Sequence, residues 1–96
     1  MADITSDELK QRQQAGEPLT IIDVREPWEF EENRIPGAQN IPLSALPTKL
    51  DDLEDLKSQE VIVHCKSGGR ATSAKAYLTQ QGFTNVRNLL GGITAY

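Results

Sequence analysis

The chain has 96 residues, a net charge of −4 and a pI of about 4.9. This length predicts one domain, residues 1–96, around one hydrophobic core. The acidic balance argues against a nucleic-acid partner, which needs clustered lysine and arginine. No apolar run approaches the roughly 20 residues of a membrane span, and the acidic N-terminus lacks the apolar centre of a signal peptide.

Signals for turns and helix ends divide the first half of the chain into short elements. In chain order these are a helix from the Thr5–Glu8 capping box to about Ala15, a buried strand at Leu19–Val24, a short helix from Glu26-Pro27, a turn at Ile35–Ala38, an extended piece at Asn40–Pro42 and a helical stretch from Pro47 to about Leu56. Trp28 is interpreted as a packing residue. The acidic clusters at residues 26–32 and 51–55 favour solvated helix faces, with a docking surface for a basic partner as the alternative.

The second half of the chain alternates strand, helix and strand. Val61–His64 predicts a buried strand, about Arg70 to Gln81 a helix, and Asn85–Leu90 a strand followed by Gly91-Gly92. Strands that alternate with helices predict a mostly parallel sheet covered by helices on both faces. Sites in such sheets form at the carboxyl ends of the strands, where Asp23, Arg25, Cys65 and the glycine pair all fall.

Cys65-Lys66-Ser67-Gly68-Gly69-Arg70 is the segment that carries chemistry. It joins a strand to a helix, where unpaired N–H groups and the helix dipole favour an anion. A cysteine there loses its proton easily, and the thiolate is the nucleophile. The glycines leave room for N–H groups to turn towards the sulfur, while Arg70 adds a fixed positive charge. As the only cysteine, Cys65 has no disulfide partner within the chain, which predicts a reducing, cytoplasmic setting.

His64 is the only histidine, and its side chain should point to the opposite face of the strand from that of Cys65. We therefore interpret it as structural rather than as the base of a Cys–His protease. One cysteine and one histidine are too few for a zinc site, so no metal is expected. Nucleotide-binding glycine patterns are absent, and no cofactor is expected.

The length of the cysteine loop argues against a cysteine-dependent phosphatase. Cysteine-dependent phosphatases use Cys-x5-Arg around a phosphate, whereas this chain has Cys-x4-Arg, a tighter ring suited to a single sulfur atom. An arsenate reductase or small phosphatase remains the enzymatic alternative. Redox enzymes of the thioredoxin type need a second cysteine.

Four blocks resemble the rhodanese (sulfurtransferase) family, in order and over nearly the whole chain. They are Ile22-Asp23-Val24-Arg25-Glu26, Arg34-Ile35-Pro36-Gly37-Ala38 through Ile41-Pro42, Cys65–Arg70, and Asn88-Leu89-Leu90-Gly91-Gly92-Ile93. The resemblance implies a small α/β domain with a central, mostly parallel five-stranded sheet and helices on both faces. A short first strand near Ala2–Ile4 would complete that sheet.

The resemblance also implies a chemistry, the transfer of sulfane sulfur through a persulfide on Cys65. The donor would be a small anion such as thiosulfate, and the acceptor a thiophilic nucleophile; a protein could serve as donor or acceptor. The implied substrate-binding residues are Lys66, Ser67, Gly68, Gly69 and Arg70. Asp23 and Arg25 match family positions and are interpreted as structural support that holds neighbouring loops together.

Two departures from the family pattern stand out. Arg34 replaces the usual histidine, so no role of that histidine transfers. Tyr96 stands where the family has tryptophan, and the family's final helix is expected to be missing. The chain is then either a minimal domain or a piece of a longer protein. The loop also resembles rhodanese domains fused to ubiquitin-activating-like enzymes of molybdopterin and thiamine synthesis. The non-enzymatic alternative is a sulfur-carrier or docking module loaded by a partner desulfurase.

Overall fold

The structure, a computed structural model, describes residues 2–96. Helices and strands follow one another along the chain. Their bounds are α1 Ser6–Gln14, β1 Ile21–Asp23, α2 Pro27–Glu32, β2 Gln39–Asn40, α3 Leu46–Lys49, β3 Glu60–His64, α4 Gly69–Gln80, β4 Asn85–Asn88 and α5 Gly92–Ala95. The helical stretch predicted from Pro47 to about Leu56 is covered by α3 and the 3-10 segment Asp51–Leu56. A further 3-10 segment, Leu43–Ala45, comes directly before α3.

The strands form one parallel sheet in the order β2-β1-β3-β4. Ile22 of β1 lies opposite Val63 of β3, and Ile62 of β3 lies opposite Arg87 of β4. The predicted α/β class is confirmed. Because β3 lies between β1 and β4, the residues that follow it emerge at the middle of the sheet's carboxyl edge.

The prediction of a fifth strand near Ala2–Ile4 is wrong, since the described chain forms a four-stranded sheet. Ile4 makes only an isolated parallel bridge to Leu89. Its N–H donates to the carbonyl of Asn88 at 3.1 Å, and its carbonyl accepts from the N–H of Leu90 at 2.9 Å. Thr5 already caps α1, its hydroxyl accepting the Glu8 N–H at 3.1 Å. The chain therefore turns into the helix before a longer ladder can form.

Each face of the sheet has its own hydrophobic cluster. Residues of β3 alternate between them: Val61 and Val63 pack on the α4 side, whereas Ile62 packs on the α1 side. Cys65 belongs to the cluster on the α4 side. Helices thus cover both faces, as predicted. Within residues 2–96, no helix is long and apolar enough to cross a bilayer.

A charged network ties α1 to the amino end of β3 and to the middle of β4. Glu60 accepts from Arg12 at 2.6 and 2.9 Å and from Arg87 at 3.0 Å, and Arg87 also donates to Glu8 at 3.0 and 3.2 Å. The hydrogen bonds from Arg12 are the largest cause that lowers the pKa of Glu60, and those from Arg87 add to it. Glu60 therefore stabilises the fold in its ionised form.

Glu60→Gln is expected to lower the free energy of unfolding by about 1–2 kcal/mol at pH 7, because two guanidinium groups lose their charged acceptor. The folded-state pKa of Glu60 is lowered from 4.5. Its contribution is therefore complete above about pH 4.5 and decreases as the pH falls through the folded-state value. Urea unfolding at pH 7, 5 and 3 checks this. Glu54→Gln, at an exposed pair with Lys57, is the control; a difference from wild type that does not decrease between pH 5 and pH 3 would contradict the prediction.

Candidate active site

Cys65 directly follows β3 and is 1% exposed. Its sulfur accepts hydrogen bonds from the N–H groups of Gly68, at 3.0 Å, and Ala71, at 3.4 Å. Donors aimed at a sulfur stabilise its anionic form. Ala71 lies outside the segment singled out in the sequence. The sequence could have indicated Ala71 as a donor, because the first N–H groups of a helix have no partner within the helix.

Gly68 gives the loop its shape. Its φ of 126° suits glycine, and it forms the N-cap of α4. Its carbonyl accepts from the N–H and the hydroxyl of Thr72, each at 2.9 Å, and from the side-chain amide of Asn88 at 3.5 Å. These contacts hold the residue with its carbonyl towards α4 and its N–H towards the sulfur.

The segment after β4 is bound to the same loop. The Ile93 N–H donates to the Cys65 carbonyl at 2.9 Å, while the Thr94 N–H and hydroxyl donate to the Lys66 carbonyl at 3.1 and 2.9 Å. A Cβ on Gly92 would lie 2.4 Å from the Lys66 carbonyl oxygen and 2.5 Å from that of Cys65. Close approach of two backbones therefore requires glycine at this position.

Asp23 and Arg25 lie beside the loop at the carboxyl end of β1. They are 0% and 3% exposed, and the guanidinium donates to both carboxylate oxygens at 2.8 to 3.1 Å. Arg25 also donates to the carbonyl and side-chain oxygen of Asn33, at 2.7 and 3.1 Å. The pair thus connects β1 to the end of α2. The role of Asp23 and Arg25 as structural support stays a prediction, and these contacts support it.

His64 is fully buried beneath the loop backbone. Its Nδ1 lies 3.3 Å from the Cys65 carbonyl, and its Nε2 lies 3.6 Å from Asp23 Oδ2. Burial is the largest cause that lowers the pKa of His64, so the imidazole is held neutral near pH 7. These contacts are with the backbone and with Asp23 rather than with the Cys65 sulfur.

The Arg70 guanidinium is bound by a carboxylate of α2, that of Glu29. It donates to both oxygens of Glu29, at 2.6 and 3.0 Å. This hydrogen bonding is the largest cause that lowers the pKa of Glu29, to about 2. Glu29 was predicted to lie on a solvated helix face; it is 8% exposed instead. The other three glutamates of that cluster are exposed.

A groove of about 420 Å³ runs beside the loop. Its lining combines cationic, acidic and apolar side chains, which are Arg25, Trp28, Glu29, Glu32, Asn33, Lys66, Ile93 and Thr94.

Trp28 is 64% exposed, so its interpretation as a packing residue is wrong. Glu31 and Glu32, three and four residues further along α2, are exposed as well, so this face of the helix is turned to solvent. Among residues 2–96, no group of three histidine, cysteine or carboxylate side chains could hold a metal ion.

The fold is a parallel α/β domain, and at the carboxyl edge of its sheet a cysteine accepts hydrogen bonds from backbone N–H groups. These two features define the class of protein, a small α/β domain with a reactive cysteine loop. The model of the rhodanese-like domain matches residues 5–96. A sulfurtransferase of Allochromatium vinosum is 37% identical over 94 residues, which cover 98% of this chain and 86% of that protein. A crystal structure of a rhodanese-like domain protein from Staphylococcus aureus has a TM-score of 0.89 and 33% identity, covering 99% of this chain and 90% of that one.

The chain belongs to the rhodanese-like domain family. The resemblance of the four sequence blocks is confirmed. An adenylyltransferase and sulfurtransferase of Zea mays is also similar, with 36% identity over 100 residues that cover 99% of this chain and 21% of that protein. Relatives named as sulfurtransferases support a sulfurtransferase activity for this chain.

Proposed function

We propose that the protein transfers sulfane sulfur from a small anionic donor such as thiosulfate to a thiophilic acceptor through a persulfide on Cys65. The observation that carries the proposal is the contact of the Cys65 sulfur with the N–H groups of Gly68 and Ala71, at 3.0 and 3.4 Å. These donors stabilise negative charge on the sulfur, which favours both the attacking thiolate and the terminal persulfide anion.

In the first step the Cys65 thiolate attacks the outer sulfur of thiosulfate. A bond forms between Sγ and that sulfur, the sulfur–sulfur bond of thiosulfate breaks, and its electron pair leaves with sulfite. In the second step an acceptor nucleophile, such as cyanide in the assay, attacks the outer persulfide sulfur. Thiocyanate leaves and the thiolate is restored, so the cycle needs no oxidant, metal or organic cofactor.

The loop residues take distinct parts in this proposal. Gly68 supplies an N–H, Lys66 supplies positive charge, and Arg70 adds a positive charge that Glu29 partly offsets. Ser67 and Gly69 are exposed within the loop and leave its outer side open to a donor. Ala71 joins the proposed set because its N–H reaches the sulfur.

A protein donor or acceptor fits the same site. The groove beside the loop carries an exposed indole, that of Trp28, at its edge. Exposed aromatic side chains are enriched where proteins bind one another. A relative that combines adenylyltransferase and sulfurtransferase units supports a protein partner for the sulfur. A reducing, cytoplasmic setting suits the cycle, because Cys65 must stay out of disulfides to act as a thiolate.

Intact-mass measurement after incubation with thiosulfate tests the proposal. Wild type is expected to gain the mass of one sulfur atom, cyanide should remove it, and Cys65→Ser should show no gain because it lacks the nucleophilic thiolate. An equal gain in Cys65→Ser, or none in wild type with either thiosulfate or an alkyl persulfide, would contradict the proposal. Hydrolysis of a phosphate ester by wild type and not by Cys65→Ser would favour the phosphatase alternative.

A further inference from the structure

The two cationic side chains of the loop differ in how far they are available to a donor anion. Lys66 is exposed and lines the groove. Arg70 is held by both oxygens of Glu29 at 2.6 and 3.0 Å. The sequence suggests two positive charges beside Cys65, whereas the structure offsets one of them with a carboxylate.

We infer that Glu29 is a specificity-determining residue: it holds the Arg70 guanidinium, reduces the positive charge beside Cys65, and so weakens binding of dianionic sulfur donors more than that of monoanionic donors. The inference rests on the proposed persulfide cycle of Cys65. It adds a residue of α2, 41 positions from Arg70 along the chain, to the residues that select the donor.

Glu29 is the fixed member of the pair. Its carboxylate accepts the Glu26 N–H at 3.0 Å in the capping box of α2, and its side chain is only 10% exposed, against 38% for that of Arg70. A bidentate pair also restricts the guanidinium in direction as well as in position. Arg70 is thus oriented by α2 and not only by the loop to which it belongs.

The rest of the groove does not restore the missing charge. Arg25 is bound by Asp23 at 2.8 Å, and Glu32 adds a carboxylate to the lining. The carboxylate of Glu29 stays ionised throughout the neutral range, since its pKa is lowered to about 2. The guanidinium groups of Arg25 and Arg70 are both matched by carboxylates, which leaves the groove close to neutral.

Two donors that differ in charge separate this effect from a general change in reactivity. Thiosulfate is a dianion that leaves as sulfite, and methanethiosulfonate is a monoanion that leaves as methanesulfinate. Both lose their outer sulfur to the Cys65 thiolate by breaking one sulfur–sulfur bond. The electrostatic work of binding scales with donor charge, so a positive charge released at the loop favours thiosulfate more.

Glu29→Gln removes the negative charge and keeps the shape of the side chain. We expect it to lower KM for thiosulfate about fivefold and KM for methanethiosulfonate about twofold, with kcat nearly unchanged. Glu31→Gln is the matched control, because Glu31 is exposed on the same helix and is not among the residues that line the groove. It makes the same change of charge and should leave the ratio of the two KM values at the wild-type level.

A double-mutant cycle assigns the effect to the pair. In an Arg70→Met background, Glu29→Gln should change the ratio of the two KM values clearly less than it does in wild type, since there is no guanidinium to release. If Glu29→Gln lowers the melting temperature strongly, Glu29→Asp keeps the charge on a shorter side chain and should shift the ratio in the same direction by less.

The outcomes distinguish this inference from the proposed function. Loading of Cys65 from both donors with an unchanged KM ratio in Glu29→Gln and Glu29→Asp overturns the role of Glu29 alone. A shift of the same size in Glu31→Gln, or one that is undiminished in the Arg70→Met background, overturns it too. Failure of every donor to load Cys65 overturns the proposed function, and the role of Glu29 with it.

Discussion

Arg25→Met is expected to lower the free energy of unfolding by about 3–5 kcal/mol, a large part of the stability of a small domain. The substitution leaves the Asp23 carboxylate, which is 0% exposed, without its guanidinium partner. A buried charge that loses its partner retains the cost of leaving water and loses the attraction that offset it. The bonds from Arg25 to Asn33 at the end of α2 are lost as well. Urea unfolding followed by circular dichroism measures the difference.

Two further variants identify the cause. Asp23→Asn combined with Arg25→Met removes the unpaired charge and should recover part of the loss, so the two substitutions should not be additive. Arg34→Met is the surface control: Arg34 is exposed and lies over the Phe30 ring at 4.3 Å. Its cost should stay within about 0.5 kcal/mol. Equal losses for Arg25→Met and Arg34→Met would contradict the burial argument.

The buried pair matters to the site because it lies under the reactive loop. Asp23 Oδ2 is 3.6 Å from His64 Nε2, and His64 Nδ1 is 3.3 Å from the Cys65 carbonyl. The same carbonyl accepts the Ile93 N–H. A loss of the pair would therefore remove a layer of contacts between β1 and the backbone that positions the sulfur.

The sequence predicted the parts of this site that depend on local rules. A strand, a glycine-rich turn and a helix in succession placed Cys65 at the carboxyl edge of the sheet. The alternation of side chains along a strand correctly predicted that the side chains of His64 and Cys65 point in opposite directions. Gly68 fits the same rules, since a tight turn at a helix N-terminus favours a residue that tolerates a positive φ.

The features that the sequence did not predict depend on contacts between distant segments. The pattern of α2 showed glutamates on a helix and gave no means of selecting the one that meets Arg70, 41 residues later. The predicted fifth strand does not form, because Thr5 starts a helix directly after Ile4. This local helix signal outweighs the family pattern. Exposure of Trp28 likewise depends on how α2 is oriented on the sheet.

Gly92→Ala is expected to cost about 3–5 kcal/mol of unfolding free energy and to slow the loading of Cys65. A Cβ at this position would lie 2.4 and 2.5 Å from the carbonyl oxygens of Lys66 and Cys65. Both obstacles are backbone atoms of the reactive loop, so relief of the clash must move either that loop or α5. The φ of Gly92, +60°, adds a smaller penalty for a residue with a side chain.

Gly37→Ala separates the two causes. Gly37 has a φ of +84°, and a Cβ there would meet nothing within 4 Å. Its substitution should therefore cost only the backbone penalty, about 1–2 kcal/mol, and leave loading of Cys65 at the wild-type rate. Chemical unfolding and the rate of mass gain with thiosulfate measure the two effects in the same pair of variants. Equal stability losses at Gly92 and Gly37 would mean that the loop yields freely, and unimpaired loading in Gly92→Ala would mean that its contact with α5 does not position the sulfur.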